Sequence, residues 1–207
     1  MKKRGIVLLL FLGILVFGFA FYFDRQIVQF FSSIRDIYLG NFFLAVKFLD
    51  TEVFVILLFT LLLLWTKKKR KWILPLWLTF GITGVISVVL KVIVRRARPF
   101  AAGIVSLASG IAANPSYLTW DLSFPSFDTA FAFCAVPILS KLYPKWKYVW
   151  IGFAVLVALS RVYFGVHYLS DVIAGGIIGY LIGLAVMKLE EKTKFFERIY
   201  EKVFRRK

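Results

Sequence analysis

The sequence is poor in cysteine and in acidic residues, and no internal repeat stands out in it. Cys134 is the only cysteine, which excludes an internal disulfide and leaves the compartment open. Only 11 of the 207 residues are acidic against 27 basic ones, so the formal net charge is +16. That surplus would suit a nucleic-acid partner, but the basic residues stand in short clusters between apolar runs, as in polytopic membrane proteins. We therefore predict that the chain contacts a lipid bilayer and no nucleic acid.

Apolar residues dominate the rest of the composition. They make up 60% of the chain, and the mean hydropathy is +0.81. A helix needs ~20 residues to cross the hydrocarbon core of a bilayer. Six segments reach or approach that length, at about 5–23, 51–66, 72–94, 126–143, 148–165 and 168–189. The second could begin as early as Phe42. This pattern predicts an all-α, polytopic membrane protein with six transmembrane helices, in a single domain over residues 1–207.

The distribution of basic residues predicts the orientation of the chain in the membrane. Segment 5–23 follows Lys2, Lys3 and Arg4, and no small-x-small cleavage site comes after it, so we interpret it as an anchor. With the N-terminus in the cytoplasm, most basic residues fall on the cytoplasmic side, as the positive-inside rule requires. We expect both termini in the cytoplasm, at a bacterial inner membrane.

Three further segments predict structure outside the spans. Residues 25–38 carry apolar side chains at helical spacing and predict an amphipathic helix on the outer surface, ended by Gly40 and Asn41. Residues 100–124 are small and weakly polar, and they predict a loop or short helices at the outer leaflet. The basic tail at about 190–207 predicts an amphipathic cytoplasmic helix against anionic lipid.

Glycines recur every four residues in the sixth predicted span. They are Gly175, Gly179 and Gly183. Small residues at this spacing allow two helices to approach closely, so we interpret the stripe as a packing seam.

The only histidine lies in a charged stretch between two apolar segments. Residues 160–171 contain Arg161, His167 and Asp171, and charge beside a membrane span is costly and therefore usually functional. His167 and Asp171 are four residues apart, so on one helix they would share a face, where the carboxylate can orient the imidazole. Such an imidazole can act as nucleophile or base, and Arg161 could hold an anionic substrate beside it.

Two other groups of residues fall at the same predicted membrane face. Lys91 and Arg98 are seven residues apart, close to two helical turns, and so lie on one face of the third segment. Ser126 follows a proline at a helix start, where backbone N–H groups can bind phosphate, and Asp128 stands in the first turn. Taken alone, each group also suits an ordinary helix end. Taken with His167, they predict an anion site around a nucleophile.

These motifs resemble the signature of the type 2 phosphatidic acid phosphatase family, the membrane branch of the group that includes vanadium haloperoxidases. The family's first motif is Lys, six residues, Arg-Pro, and its third is Ser-Arg, five residues, His, three residues, Asp. Its second motif is Pro-Ser-Gly-His. The matching residues are Lys91, Arg98 and Pro99 in the first motif, Ser160, Arg161, His167 and Asp171 in the third, and only Pro125 and Ser126 in the second.

The resemblance implies hydrolysis of a membrane lipid phosphate through a phosphohistidine, with no metal and no cofactor, at the periplasmic or outer face. His167 would attack phosphorus, and Asp171 would hold its ring. The phosphate oxygens would be neutralised by Lys91, Arg98, Ser126 and Arg161. Candidate substrates by this resemblance are undecaprenyl diphosphate, phosphatidylglycerophosphate, phosphatidic acid and the 1-phosphate of lipid A.

Asp128 departs from the family's pattern, in which the histidine of the second motif protonates the leaving group. Phe127 likewise replaces the glycine of that motif. An aspartic acid side chain, with a reference pKa of ~3.9, is a poor proton donor at neutral pH. Three explanations are open. Asp128 acts as an unusual acid; the substrate is a diphosphate, whose leaving phosphate (second pKa ~6) needs little help; or the chain is an inactivated form, natural or engineered. We favour the third.

Two functions from other classes compete with the phosphatase. A catalytically silent protein that binds lipid phosphate would keep the basic residues and form no phosphohistidine. A small transporter would line a path across the bilayer with charged side chains. The charged residues collect at one face and no ionisable pair falls at mid-span, so we expect the phosphatase first, the binding protein second and the transporter last.

Overall fold

The computed structural model of the chain describes residues 3–108 and 122–204. Of the predicted loop at 100–124, residues 109–121 therefore lie outside the described part. All regular structure in the described residues is helical, with short turns and two short 3₁₀ segments between the α-helices. The helices are α1 (Lys3–Ser33), α2 (Ile37–Leu49), α3 (Glu52–Trp65), α4 (Ile73–Val94), α5 (Phe127–Leu142), α6 (Lys147–Tyr163), α7 (Leu169–Thr193) and α8 (Phe195–Phe204).

The helices support the all-α membrane class. Among the described residues, two helices are long and apolar enough to cross a membrane: Lys67–Val94, which joins a 3₁₀ segment to α4, and α7. α2 and α3 meet at a bend of 62° and provide a third span if they are counted as one. α5 and α6 have 16 and 17 residues, which is shorter than ~20 residues. Six spans and their orientation therefore stay predictions.

The predicted surface helix at 25–38 is wrong. α1 continues without a break to Ser33, and α2 begins at Ile37, so this segment contains the end of one helix and the start of the next. Gly40 and Asn41 lie inside α2 and do not end a helix.

Burial and capping explain where these two helices end and begin. Ala20, Asp24 and Val28 follow one another at four-residue spacing and are buried, so one face of α1 keeps its packing contacts well past residue 25. Asp36 then caps α2, because its carboxylate accepts two main-chain N–H groups of the first turn, at 2.7 and 3.0 Å. The sequence analysis included Asp36 in the predicted helix at 25–38.

α5 and α7 pack with their backbones in contact along the glycine stripe. A Cβ atom built on Gly179 would lie 2.1 Å from the carbonyl oxygen of Ala130, and one on Gly175 would lie 2.5 Å from that of Ser126. The corresponding distance at Gly183 is 2.0 Å. The predicted packing seam is confirmed, and it holds the start of α5 against the first half of α7.

Different helix termini meet at the two ends of the helix bundle. At one end α4 and α6 finish and α5 and α7 begin. At the opposite end, ion pairs join Lys71 to Glu197, at 2.6 Å, and Lys141 to Glu191. α8 lies at this second end, within the predicted tail, and the carboxylate of Glu190 accepts two main-chain N–H groups of its first turn, at 3.0 and 2.9 Å.

Candidate active site

The ends of α4, α5, α6 and α7 converge around the only histidine. His167 lies in the loop between α6 and α7, and its side chain is 1% exposed. Gly165 permits the turn of this loop: its φ is +76°, and a Cβ atom there would lie 2.8 Å from the Arg35 side chain. After the turn, Val166 and His167 donate their main-chain N–H groups to the carbonyl oxygen of Arg161, at 3.2 and 3.3 Å. The loop thereby ties His167 to the end of α6.

Asp171 lies beside His167, in the first turn of α7. The distance from Asp171 Oδ2 to His167 Nδ1 is 3.7 Å, and the same oxygen accepts hydrogen bonds from Ser123 Oγ at 2.5 Å and Tyr168 N at 2.9 Å. Ser123 Oγ also lies 3.5 Å from His167 Nδ1. His167 precedes α7 and does not share its helix, but the structure does bring the predicted pair together.

The surroundings of His167 favour a neutral imidazole. Burial, followed by the guanidinium group of Arg98, lowers the pKa of His167 from 6.5 to about 4, while Asp171 acts in the opposite direction. At pH 7 the ring is therefore neutral. With Nδ1 facing Asp171, the other ring nitrogen, Nε2, is the one that can carry the lone pair, and a neutral imidazole nitrogen can attack phosphorus.

Arg96 and Asp24 hold Asp171 from its other side. Arg96 Nη1 donates to Asp171 Oδ1 and to Ser170 Oγ, each at 2.7 Å, and Nη2 donates to Asp24 Oδ2, also at 2.7 Å. Asp24, buried on α1, accepts the main-chain N–H of Ser170 at 2.9 Å as well. Both oxygens of Asp171 therefore accept hydrogen bonds. The position of this carboxylate depends on three separate elements: α1, the chain after α4, and α7.

Lys91 and Arg98, the predicted basic pair, lie at this end of the bundle, but the predicted common helix face is wrong because α4 ends at Val94 and Arg98 lies beyond it. Arg98 is 4% exposed and donates Nη1 to the carbonyl oxygen of Val166, the residue before His167, at 3.1 Å. Lys91 is half-buried and donates its Nζ to the carbonyl oxygen of Leu122. Arg98 thus contacts the residue before His167, and Lys91 contacts the residue before Ser123, whose hydroxyl group lies 3.5 Å from His167 Nδ1.

Ser126 stands directly before α5, as the helix-start motif predicted. It is fully buried, and its main-chain N–H donates to the carbonyl oxygen of Asp171 at 3.1 Å. Its hydroxyl group pairs with that of Thr129 at 2.9 Å. The start of α5 is therefore bound directly to the residue that orients His167.

Arg161 contacts two carboxylates. Its Nη2 bonds to Asp50, which lies at the break between α2 and α3, and its Nη1 lies 3.3 Å from Asp128 Oδ2. The Arg161 and Asp50 side chains are buried, whereas that of Asp128 is 25% exposed. Asp128 therefore places a negative charge on the guanidinium group that the family resemblance assigns to phosphate.

Four residues of this cluster were missed by the sequence analysis: Asp24, Asp50, Arg96 and Ser123. Asp24 and Asp50 carried a usable signal, because an acidic residue next to long apolar runs is costly and usually paired. Arg96 lies between the two basic residues of the first motif, where its charge was taken as part of the cluster. Ser123 had no signal, since a lone hydroxyl residue in a loop has no characteristic spacing.

Comparison with known proteins agrees with this geometry. Residues 72–195, more than half of the chain, match the family model of the PAP2 superfamily. Phosphatidylglycerophosphatase B of Bacillus subtilis is 33% identical over 132 residues, which are 58% of this chain and 59% of that protein. Undecaprenyl-diphosphatase of Sulfolobus acidocaldarius is 35% identical over 137 residues, 63% of this chain and 61% of that protein. The chain thus spans about three fifths of the length of these two curated relatives.

A solved structure extends the likeness to the whole fold. The crystal structure of a transmembrane PAP2-type phosphatidylglycerolphosphate phosphatase from Bacillus subtilis superposes with a TM-score of 0.69 and 26% identity, over 95% of this chain and 100% of that one. The family match contains all three motifs and leaves Asp24 and Asp50 outside. Because the match covers the larger part of the sequence and the fold agrees beyond it, the chain belongs to the PAP2 superfamily.

Proposed function

We propose that the chain hydrolyses a membrane lipid phosphate or diphosphate, without a metal, through a phosphohistidine at His167. The observation that carries the proposal is the buried, neutral imidazole of His167, 3.7 Å from Asp171 and close to Arg98. Membership of the superfamily supports a phosphatase. The names of the relatives, a phosphatidylglycerophosphatase and an undecaprenyl-diphosphatase, support a lipid as the substrate.

The proposed reaction has two steps. First, the ring nitrogen of His167 that does not face Asp171 attacks phosphorus, and the bond from phosphorus to the leaving oxygen breaks with its electron pair on that oxygen. Then water attacks phosphorus, the phosphorus–nitrogen bond breaks, and inorganic phosphate leaves with the neutral ring restored. Charge that develops on the phosphate oxygens is stabilised by the cations Lys91, Arg98 and Arg161 and by a hydrogen bond from Ser126.

In this proposal Asp128 lowers the rate of the reaction. An ionised carboxylate offers no proton to a lipid alkoxide, and it repels a phosphate that approaches Arg161. A diphosphate avoids the first difficulty because its leaving group is a stable phosphate anion. We therefore infer slow turnover of monophosphates and faster turnover of diphosphates, and we retain an inactivated form as the explanation of Asp128.

The proposed setting is the cytoplasmic membrane of a bacterium, with both termini in the cytoplasm and His167 towards the outer face. The basic clusters support it, because Lys71 and Lys141 lie at the end of the bundle opposite His167. A lipid that diffuses in the outer leaflet would then reach the cluster from the side.

The single histidine makes a direct test possible. With a histidine-free purification tag, ³²P transferred from a labelled diphosphate lipid to the chain in an acid-labile, base-stable form is assigned to His167 if the His167→Ala variant lacks it. We expect such a label in the parent chain, none in His167→Ala, and no change on adding EDTA. Turnover that persists in a folded His167→Ala variant would contradict the phosphohistidine mechanism, and loss of activity in EDTA would contradict its metal independence.

A further inference from the structure

An apolar groove runs along α4 towards the phosphate-binding residues. It has a volume of about 780 Å³, within the size range of small-molecule sites, and its wall is almost entirely hydrocarbon. Its floor includes Trp77, Gly81, Gly84 and Val88. These residues follow one another at spacings of four, three and four, so they form one stripe on α4. The next position of that stripe is Lys91.

The opposite wall of the groove leads to the same place. Phe80, Phe131 and Phe127 form a row of stacked rings, with centroid distances of 4.8 Å and 4.9 Å between neighbours. The Phe127 ring covers Gly84, whose Cβ position would lie 3.9 Å from it. Asp128, which follows Phe127, contacts Arg161. The floor and the wall thus both end at charged members of the candidate site.

We propose that this groove binds the hydrocarbon chain of the lipid whose phosphate lies at Lys91 and Arg161, an inference that rests on the proposed function. α4 rises about 1.5 Å per residue, so the 14 residues from Trp77 to Lys91 span roughly 21 Å, which exceeds the ~15 Å of one hydrocarbon leaflet. One extended chain can therefore lie in the groove while its headgroup stays at Lys91. Phe127, a departure from the family's glycine, becomes the part of the wall next to the headgroup.

A second apolar groove, between α5, α6 and α7, is the less suitable site. Its volume is about 460 Å³, and it ends near Leu169 and Val172. These residues flank Asp171, whose side chain is fully buried, as is nearly all of His167. The accessible members of the candidate site, Lys91 and the partly exposed Asp128, lie beside the first groove. A phosphate carried by a lipid meets those members first.

A larger side chain at Gly81 would block the groove. A Cβ atom on Gly81 would have no neighbour within 4 Å, so leucine at this position adds bulk to the groove without a clash in the fold. Gly152 on α6 has equally open surroundings and lies outside both grooves. Gly152→Leu is therefore the matched control for Gly81→Leu.

Trp77 supplies a readout that does not depend on turnover. Its indole lines the groove, and bromine atoms on a lipid chain quench tryptophan fluorescence at contact distance. The experiment titrates a lipid phosphate with a brominated chain into the detergent-solubilised full chain, in the parent, Gly81→Leu, Gly152→Leu and Lys91→Gln. Trp77→Phe isolates the contribution of Trp77 from that of the other five tryptophans.

We expect quenching from Trp77 in the parent and in Gly152→Leu, with an affinity at least several-fold weaker in Gly81→Leu and in Lys91→Gln. A phosphate-free diacylglycerol with the same chains should compete poorly. Equal affinity in Gly81→Leu and the parent, no quenching that depends on Trp77, or equal competition by the diacylglycerol would overturn the proposal. Binding with this pattern but without phosphate release would keep the groove and refute only the proposed hydrolysis.

Discussion

In the proposed function, the contact between Asp128 and Arg161 determines how well the site receives phosphate. The Asp128 carboxylate lies 3.3 Å from Arg161 Nη1 and is partly open to solvent, whereas the second partner of Arg161, Asp50, is buried. A phosphate that enters the site meets the Asp128 side of Arg161 first. Removing only the charge of Asp128 therefore separates its effect on binding from its effect on proton donation.

The variant Asp128→Asn should bind phosphate analogues more tightly without faster turnover. The amide keeps the size of the side chain, removes the repulsion and still supplies no acidic proton. We expect vanadate to bind several-fold more tightly, while the rate on a lipid monophosphate stays as low as in the parent. The control is Glu52→Gln, which removes the same charge at an exposed position in the first turn of α3. Unchanged affinity for vanadate in Asp128→Asn would show that this charge does not affect the anion site.

Arg96 contacts Asp171 at 2.7 Å, and in the proposed reaction it acts through that carboxylate. In Arg96→Gln the carboxylate loses that cation, so turnover should fall by about 10- to 100-fold, by analogy with the outer-shell residues that hold the ligands of a metal site. The lost positive charge also lets Asp171 stabilise the imidazolium form, so the pKa of His167 should rise from about 4. The acidic limb of the rate profile should therefore move to higher pH.

The neighbouring Arg95→Gln is the control for Arg96→Gln. Arg95 is exposed. Among the described residues, its side chain donates one hydrogen bond, to the carbonyl oxygen of Val92. The Arg95→Gln variant should have a rate and a pH profile close to those of the parent. Equal behaviour of the two variants would mean that Arg96 contributes only net charge and does not position Asp171.

At the scale of single elements, the contact between α5 and α7 positions the site. The glycine stripe brings the backbone of α7 against that of α5, and Ser126 N bonds to Asp171 O at the end of this contact. The stripe was predicted correctly because direct backbone contact leaves a local signature, a small residue every four positions. The surface helix at 25–38 was predicted wrongly because an apolar spacing of 3.6 residues continues across a helix boundary. Only the cap at Asp36 marks that boundary.

Gly179→Ala should destabilise this contact. Its added methyl group would lie 2.1 Å from the carbonyl oxygen of Ala130, which is backbone and cannot turn aside. We expect a loss of about 1–3 kcal/mol in the free energy of unfolding, seen as a lower Tm in detergent. Gly152→Ala, where the added methyl group meets nothing within 4 Å, should be neutral or gain about 0.5–1 kcal/mol. A Tm for Gly179→Ala at or above that of the parent would contradict the tight seam.

At the scale of the whole molecule, the orientation of the bundle determines which leaflet supplies the lipid. Cys134 is fully buried, so it should react little with a thiol reagent, and single cysteines introduced elsewhere can be labelled selectively. Tyr38 is 85% exposed at the start of α2, and Tyr148 is 80% exposed at the start of α6. They lie towards opposite ends of the bundle, since α6 starts among the basic residues and ends at Tyr163, whose hydroxyl group donates to the carbonyl oxygen of Asp36, two residues before Tyr38.

A membrane-impermeant maleimide should therefore label Tyr38→Cys in intact cells and Tyr148→Cys only after the membrane is opened. The opposite pattern would place His167 on the cytoplasmic side and contradict the positive-inside assignment. Labelling of both variants in intact cells would contradict the bundle as a transmembrane unit.

The sequence predicted the local parts of the candidate site and missed the distant ones. His167 with Asp171, and Lys91 with Arg98, are close in sequence, so the sequence could place each pair at one end of the bundle. The helical spacing that was used to pair them is not what joins them, because His167 precedes α7 and Arg98 follows the end of α4 at Val94. The contacts of Arg96 with Asp24 and of Arg161 with Asp50 join residues more than 70 positions apart. They depend on how α1 and the break after α2 pack on α6 and α7, which no local pattern encodes.

The central claim is that His167 performs phosphate transfer and that Asp128 restrains it. The most direct test measures phosphate release in detergent with EDTA, for this chain and for Asp128→His, on a lipid monophosphate and a polyprenyl diphosphate. We predict that the parent releases phosphate slowly from the monophosphate and faster from the diphosphate, while Asp128→His hydrolyses the monophosphate at least 10²-fold faster than the parent does, the gain typical of a positioned general acid. No phosphate release by either protein would contradict the account and leave a protein that binds lipid phosphate.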